Sequence, residues 1–313
     1  MQTVAIVLKE PERIALDLVE MIEPGPRDAV IDVEWSGISA GTERLLWQGR
    51  MPHFPGMGYP LVPGYESVGR VAVAGTASGL SVGERVFVPG ASCFVSARSL
   101  FGATAREVVV PAARVVPIGG LDAAQSTLLA LAATAYHMVL GGKAALPDLI
   151  IGHGVLGRLL ARISIVLGGA PPIVWELDRA RAEGYAGYNV LNPEDDKRRD
   201  YRCIYDVSGD SAVLDQLIQR LAPGGEIVLG GFYCAPLSFA FPPAFMREAR
   251  LRVSAQFLPA DLVAARDAVQ SGALSLDGLI THQQPAGEAA NAYRTAFEDP
   301  TCLKMLLDWR NAS

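Results

Sequence analysis

Leu149-Ile150-Ile151-Gly152-His153-Gly154-Val155-Leu156-Gly157 is the stretch on which the fold turns. A short apolar run ends in glycines spaced G-x-G-x-x-G, and a helical pattern starts at once. Val155, Leu156, Leu159, Leu160, Ile163 and Leu167 fall on one face of that helix, with Arg158 and Arg162 opposite. Strand, glycine turn and helix in this order are what a dinucleotide fingerprint requires. Gly152 allows the tight turn, Gly154 lets the backbone approach a pyrophosphate, and Gly157 permits close helix-to-strand packing. The helix N-terminus offers free N–H groups and the positive end of its dipole. The spacing therefore predicts a nucleotide cradle of Gly152, His153, Gly154, Val155, Leu156 and Gly157, with the His153 backbone toward the phosphates and its ring turned away.

The next apolar run, Ile173–Trp175, ends at Glu176, nineteen residues after Gly157. An acid there accepts hydrogen bonds from both ribose hydroxyls and repels a 2′-phosphate, which favours NAD over NADP; Arg179 and Arg181 keep NADP as the second choice. Ser208 and Gly230, directly after the strand patterns 203–207 and 226–229, join the cofactor candidates. Helix and strand patterns alternate from Pro117 to about Phe257, which implies a parallel sheet. Before Pro117 the texture is different: short apolar or alternating runs at 3–8, 14–19, 29–35, 67–74, 85–88 and 107–110, separated by Gly and Pro, suggest a small barrel or rolled sheet. After 258 two helical segments, 261–271 and 287–297, bracket an apolar 276–280, and the tail is expected to pack back on the first domain. The predicted division is 1–120, 121–258 and 259–313. The charge run Glu194 to Arg199 reads as a solvated loop.

Bulk properties narrow the function. A chain of 313 residues is long enough for two domains, and 50% hydrophobic with 19% charged residues supplies a large core. A formal net charge of -6 argues against tracking a nucleic-acid backbone, which needs clustered Lys and Arg. The start lacks the basic region and longer apolar core of a signal peptide, so a cytoplasmic protein is expected. Residues 123–142 carry no formal charge, but Gln125, Ser126, Thr127, Thr134 and His137 suit a buried helix better than one that spans a membrane. Cys93, Cys203, Cys234 and Cys302 are far apart, which suggests neither a disulfide framework nor a structural zinc site.

Further motifs resemble those of the medium-chain dehydrogenases/reductases along nearly the whole chain. Pro63-Gly64-Tyr65-Glu66-Ser67-Val68-Gly69 is similar to the family's PGHExxG segment, Val82-Gly83-Glu84-Arg85-Val86 to its GDRV turn, and Gly102-Ala103-Thr104-Ala105-Arg106-Glu107 to its GxxAE segment. Thr134-Ala135-Tyr136 matches the helix before the nucleotide domain, and Leu279-Ile280-Thr281-His282 a C-terminal motif. The resemblance implies an α/β protein with a β-rich GroES-like catalytic domain and a Rossmann domain with a doubly wound parallel sheet. It adds Thr134 to the cofactor candidates and raises the expectation of a homodimer. It also exposes departures. Where the zinc enzymes of the family hold their metal, this chain has Ser39, Tyr65 and Ala130, and the lobe that carries four cysteines in many relatives offers only Cys93. A hydroxyl, a phenol and a methyl do not make a zinc site, so no metal is expected.

The segment Ser36-Gly37-Ile38-Ser39-Ala40-Gly41-Thr42-Glu43 and the Met/Gly/Pro-rich stretch after it resemble, more narrowly, family members that oxidise a hydroxyethyl substituent of a bacteriochlorophyllide tetrapyrrole to acetyl with NAD. Alternatives are a zinc-free quinone or enoyl reductase and a non-catalytic nucleotide-binding protein. Without a metal, positioned hydrogen-bond acceptors and the substrate itself must supply the stabilisation. By the resemblance Thr42 matches the hydroxyl that starts the proton relay of alcohol-oxidising relatives, or it is an N-cap or strand-end threonine. Tyr65 either meets the reacting oxygen or fills the vacated ligand site. Glu66 is a structural partner more than a base, and Glu43 is a proton acceptor or a loop glutamate paired with Arg44. Arg50, Met51, His53 and Phe54 lie in an apolar loop that is either a wall for a large flat ligand or a plain surface loop. His137 reads as a satisfied core histidine.

Overall fold

The computed structural model describes residues 1–53, 55–141, 145–183 and 187–311. In chain order the first elements are β1 (Gln2–Glu10), β2 (Arg13–Glu20), β3 (Asp28–Ile38), α1 (Thr42–Trp47), β4 (Leu61–Pro63), β5 (Ser67–Ala74), β6 (Arg85–Val88), β7 (Arg98–Leu100), β8 (Glu107–Pro111) and β9 (Val116–Pro117). Next come α2 (Ala123–Ser126), α3 (Leu129–Leu140), β10 (Leu149–Ile151), α4 (Val155–Val166), β11 (Ile173–Trp175), α5 (Arg179–Ala182), β12 (Asn189–Leu191) and β13 (Tyr201–Asp206). The last are α6 (Leu214–Arg220), β14 (Leu221–Leu229), α7 (Phe241–Met246), β15 (Arg250–Val253), α8 (Pro259–Gln270), β16 (His282–Pro285), α9 (Ala289–Glu298) and β17 (Met305–Asp308).

The chain forms two compact units. One joins residues 1–130 to 279–313, and the other is the contiguous stretch 131–278. The first division falls at 130 rather than the predicted 120 because α2 packs on β3 and β5, and the second at 278 rather than 258 because α8 and the loop after it bind to the second unit. His137 Nδ1 and Asp261 Oδ2 are 2.8 Å apart, and Arg162 donates to the carbonyls of Ser275 and Asp277. His137 is thus satisfied, as its setting on an apolar helix suggested.

The first unit has a four-stranded sheet, β2-β1-β4-β7, and a seven-stranded one in which β16-β17-β3-β5-β6-β9 run side by side and β8 pairs with β3. Alternating apolar residues such as Ile6, Val30, Val33, Val71, Val86 and Val108 meet in its core. The tail returns as β17, antiparallel to β3, with the Trp309 indole donating to Ser36 Oγ at 2.8 Å.

The second unit holds a six-stranded sheet in the order β12-β11-β10-β13-β14-β15, parallel throughout. Numbered from β10 this is 3-2-1-4-5-6, the dinucleotide-binding order, and its switch point lies between β10 and β13. Trp175, Tyr201, Ile204, Leu217 and Ile227 pack beside the sheet. Pro223-Gly224-Gly225, a turn-forming sequence, sits inside β14 as a kink. Tyr201 pairs with Leu221 and Cys203 with Glu226, so β14 carries extra residues between the two registers.

Three local readings change. The buried helix expected within 123–142 is two pieces, α2 and α3, because Ser126 and Thr127 return their hydroxyls to the carbonyls of Asp122 and Ala124. Each piece is short, and among the described residues no helix is long and apolar enough to cross a membrane. Arg158 is buried rather than solvent-facing, since its guanidinium donates to the carbonyls of His153, Arg181 and Glu183. Asp196, inside the charge run, is also buried and accepts from the Trp175 indole and the Tyr201 phenol.

Candidate functional site: a glycine cradle and a hydroxyl cluster

Parallel pairing sets Ile151 beside Trp175 and Asp206, and Asp206 beside Leu229. The residues that follow these strands, Gly152, Glu176, Ser208 and Gly230, therefore emerge at one carboxyl edge. Each glycine meets a different demand. Gly152 has φ +97°, a backbone region that favours glycine. A Cβ on Gly157 would lie 1.9 Å from the Gly152 carbonyl oxygen, whereas a Cβ on Gly154 would meet nothing within 4 Å. Gly157 is thus a packing glycine, and Gly154 borders open space at the start of α4. The N–H groups of Val155 and Leu156 find no acceptor among the described residues, as befits the first turn of a twelve-residue helix. Leu156 is only half-buried, and Val155 packs inward.

Two expectations for this edge need correction. The His153 N–H does not face the open space; it donates to Glu176 Oε2 at 3.0 Å. Glu176 is correspondingly less available. Its Oε1 accepts from Leu177 and Asp178 N–H at 2.8 and 2.9 Å, which fills that oxygen. One acceptor position, on Oε2, is left for a ribose hydroxyl rather than two. The His153 ring does turn away and is fully buried, with Nδ1 2.6 Å from the Arg181 carbonyl and Nε2 2.9 Å from the Tyr188 hydroxyl. A carbonyl can only accept, so Nδ1 carries the proton and Nε2 accepts from the phenol. Burial pushes this imidazole down to about 4, so it stays neutral.

Ser208 closes the cradle from the next strand. Its Oγ and N–H both donate to Asp206 Oδ1, at 2.7 and 2.9 Å, and its Cα would lie 3.4 Å from a Cβ on Gly152. The Gly230 N–H donates to the Asp206 carbonyl at 2.9 Å, and a Cβ there would strike Met138 of α3 at 2.1 Å. Gly230 thus leaves room for the end of the Met138 side chain, which would have to move aside for a larger residue. Thr134, half-buried, lies one turn before Met138 on the same face of that helix. Glycines that leave a helix start open, free N–H groups and a remaining carboxylate acceptor fit the pyrophosphate and ribose of a dinucleotide.

The first unit gathers a second group of polar side chains. Ser39 Oγ lies 2.8 Å from the Tyr65 hydroxyl, and the Thr42 N–H reaches Ser39 Oγ at 3.4 Å. Thr42 is half-buried and is the first residue of α1, after the N-cap Gly41, so the N-cap reading of this threonine fails. Tyr65 is half-buried too, edge-on to Phe101. Burial, with a contribution from Glu66, raises its phenol far above the ordinary range, against the opposing Ser39 and Thr42 hydroxyls. At neutral pH it is a phenol, able to donate.

Glu43 is not the loop glutamate paired with Arg44. It lies on α1 at 1% exposure, where Oε1 accepts from the Ser39 N–H at 3.2 Å and Oε2 from the Tyr293 hydroxyl at 2.6 Å. Burial pushes its carboxyl up to about 7, and Glu66 adds to the push. Glu66, fully buried, is ion-paired with Lys304, whose ammonium lies 2.6 Å from Oε2 and also donates to the Ile38 carbonyl. Tyr293 and Lys304 escaped the sequence reading. The available signal was a lone lysine in the apolar run Cys302-Leu303-Lys304-Met305-Leu306-Leu307.

The substrate-loop candidates divide. Met51 is a core residue, packed with Leu8, Leu46, Leu61 and Leu100, so it forms no ligand wall. Arg50 and His53 are exposed, and Phe54 lies outside the described residues. Ala130 is fully buried. Among the described residues no group of three or more His, Cys, Asp or Glu side chains could hold a metal ion.

Comparison with known proteins agrees with this architecture. Residues 25–120 match the alcohol dehydrogenase GroES-like domain. Of solved structures, a short chain alcohol dehydrogenase from Escherichia coli CFT073, complexed with cofactor NADH, superposes with a TM-score of 0.82 at 21% identity, covering 98% of this chain and 99% of that one. The 2-desacetyl-2-hydroxyethyl bacteriochlorophyllide A dehydrogenase of Rhodobacter capsulatus is 56% identical over 313 residues, 100% of both chains. Its counterpart from Cereibacter sphaeroides is 55% identical over 99% of each. With this identity along its full length, the chain belongs to the family of the 2-desacetyl-2-hydroxyethyl bacteriochlorophyllide A dehydrogenases, within the medium-chain dehydrogenases/reductases.

Proposed function

We propose that this protein oxidises the hydroxyethyl group of a bacteriochlorophyllide to an acetyl group in bacteriochlorophyll a synthesis, with NAD as hydride acceptor and without a metal. The observation that carries the reading is the 56% identity to the Rhodobacter capsulatus dehydrogenase over the whole of both chains. Bound NAD supplies the site that takes the hydride. The chain's own residues do the rest. The start of α4, with Gly154 left bare, binds the pyrophosphate, and the remaining Glu176 acceptor takes a ribose hydroxyl, where a 2′-phosphate would meet the carboxylate's charge.

Tyr65 and Thr42 serve the reacting oxygen. A phenol held in its neutral form donates a hydrogen bond to that oxygen and orients the alcohol, part of what a Lewis acid does elsewhere. The conjugated macrocycle spreads the positive charge that develops as hydride leaves, which lowers the demand for a metal. Hydroxyl, phenol and methyl at positions 39, 65 and 130 support the metal-free reading through their poor donor chemistry. The same reading includes a cytoplasmic homodimer. The outer edge of β15, with Leu251 and Val253 exposed, supports pairing between copies.

The test incubates chelator-treated protein with hydroxyethyl bacteriochlorophyllide and either NAD or NADP, following reduced nicotinamide and the pigment band together. Coupled changes with NAD, weaker with NADP and unaffected by added zinc, are expected. No pigment change under confirmed NAD binding overturns the assignment, and rapid oxidation of propan-2-ol overturns the role given to the macrocycle.

A further inference from the structure

The loop before α1 fixes Ser39 at three points. Its N–H donates to Glu43 Oε1 at 3.2 Å, its carbonyl accepts from the Glu43 N–H at 3.0 Å, and its Oγ accepts from the Thr42 N–H at 3.4 Å. An N–H can only donate, so the serine proton must find a partner elsewhere. Among the described residues the Tyr65 oxygen, 2.8 Å from Oγ, is the one acceptor within its reach. If the phenol donated to Ser39 instead, the serine proton would be left without an acceptor in a residue only 5% exposed, which is costly. We propose that Ser39 is a positioning residue: its hydroxyl donates to the Tyr65 oxygen, so that the phenol proton turns away from the serine and onto the oxygen of the bound alcohol.

The direction of this one hydrogen bond has two effects. It prevents the phenol from spending its proton on Ser39, and it polarises the phenol O–H, which strengthens the hydrogen bond that Tyr65 gives. Tyr65 is the member of the pair able to meet a ligand, being half-buried where Ser39 is buried. Phe101 packs edge-on against the Tyr65 ring with centroids 5.5 Å apart, so rotation about the C–O bond is the coordinate that Ser39 has left to set. Burial holds the phenol neutral, and it keeps its proton through turnover as a fixed dipole. Before an alcohol binds, the Thr42 hydroxyl beside the phenol can accept that proton.

The role rests on the dehydrogenase reading, and its test separates the two. Accepting a hydrogen bond weakens a phenol's C–O bond, and donating one strengthens it. In the whole protein without pigment, the C–O stretch of Tyr65 can be isolated by isotope-labelled tyrosine and subtraction of the Tyr65→Phe spectrum. It should move to higher frequency in Ser39→Ala; a move to lower frequency, or none, overturns the proposal whatever the activity. In turnover, Ser39→Ala should lower kcat about 10-fold with little change in KM, and Tyr65→Phe, which loses the donor itself, about 10²-fold. Ser39→Thr should restore kcat, and Ser39→Ala added to Tyr65→Phe should lower it no further. A Ser39→Ala protein, folded by circular dichroism, that keeps the full kcat overturns the role, as does an equal loss on the Tyr65→Phe background. A protein that shows the expected shift yet never oxidises the pigment overturns the functional reading, and the positioning role with it, while the direction of the hydrogen bond stands.

Discussion

Replacing Glu43 by Gln should make the protein more stable above neutral pH and change it little in acid. The carboxyl is pushed up from its ordinary 4.5 to about 7 at 1% exposure. Between those values the folded protein keeps the proton and the unfolded chain has lost it, so stability is present below 4.5 and is lost as pH rises toward 7. The loss is about 3 kcal/mol at pH 8 and under about 1 kcal/mol at pH 5. Gln escapes it without leaving a hole. Its carbonyl accepts from the Ser39 N–H, and its amide donates to the Tyr293 oxygen. Urea unfolding followed by tryptophan fluorescence suits the assay, because Trp35, Trp47 and Trp309 all lie in the unit that holds Glu43. The variant should unfold at clearly higher urea at pH 8 and close to the unaltered protein at pH 5. An equal difference at both pH values, or a variant weaker at pH 8, would refute the reasoning.

Three other outcomes follow from the same geometry. His153, pushed down to about 4, contributes stability that is present above 6.5 and lost as pH falls toward 4, about 3 kcal/mol in all; the hydrogen-exchange protection factors at 152–158, corrected for the intrinsic rate at each pH, should fall in that window, and unchanged protection at pH 4 would contradict it. Lys304→Met strands the fully buried Glu66 carboxylate and should cost about 3–5 kcal/mol in thermal unfolding, with Glu66→Gln added on top recovering most of it; a double variant no better than the single one counts against the pair. Gly154→Ala should leave the melting temperature unchanged and weaken NADH binding in calorimetry, whereas Gly157→Ala should damage both, its Cβ being 1.9 Å from a backbone oxygen; equal effects would dissolve the distinction between the two glycines.

What could be read from the chain was local. The strand, glycine turn and helix at 149–157 needed only neighbouring residues, and so did the short strands 67–74 and 85–88, which the structure reproduces to the residue. The polar cluster was legible in part. Thr42, Glu43, Tyr65 and Glu66 were found because they sit in recognisable segments, but their roles depend on Tyr293, 250 residues from Glu43, and Lys304, 238 from Glu66. No periodicity reports such distances. Arg158 and Asp196 show the same limit, since charge on a helix face or in a polar run looks solvated until carbonyls, an indole and a phenol from elsewhere surround it. The polar strand β16, His-Gln-Gln-Pro, carries no alternating apolar pattern and could be seen only once β17 was beside it.

The interruption of the first unit between Ala130 and Leu279 bears on the order of assembly. β3 leaves the ribosome early, yet its partner β17 and the ammonium that meets Glu66 arrive only after the whole second unit has been made. That second unit is contiguous and can collapse while synthesis continues, which draws the two halves of the first unit closer and reduces the chain entropy lost in joining them. Until Lys304 arrives, Glu66 has no cation, so the carboxylate pair at the heart of the first unit settles late. The nucleotide cradle should therefore mature before the hydroxyl cluster, giving a nascent chain that can grip its dinucleotide before it can orient an alcohol.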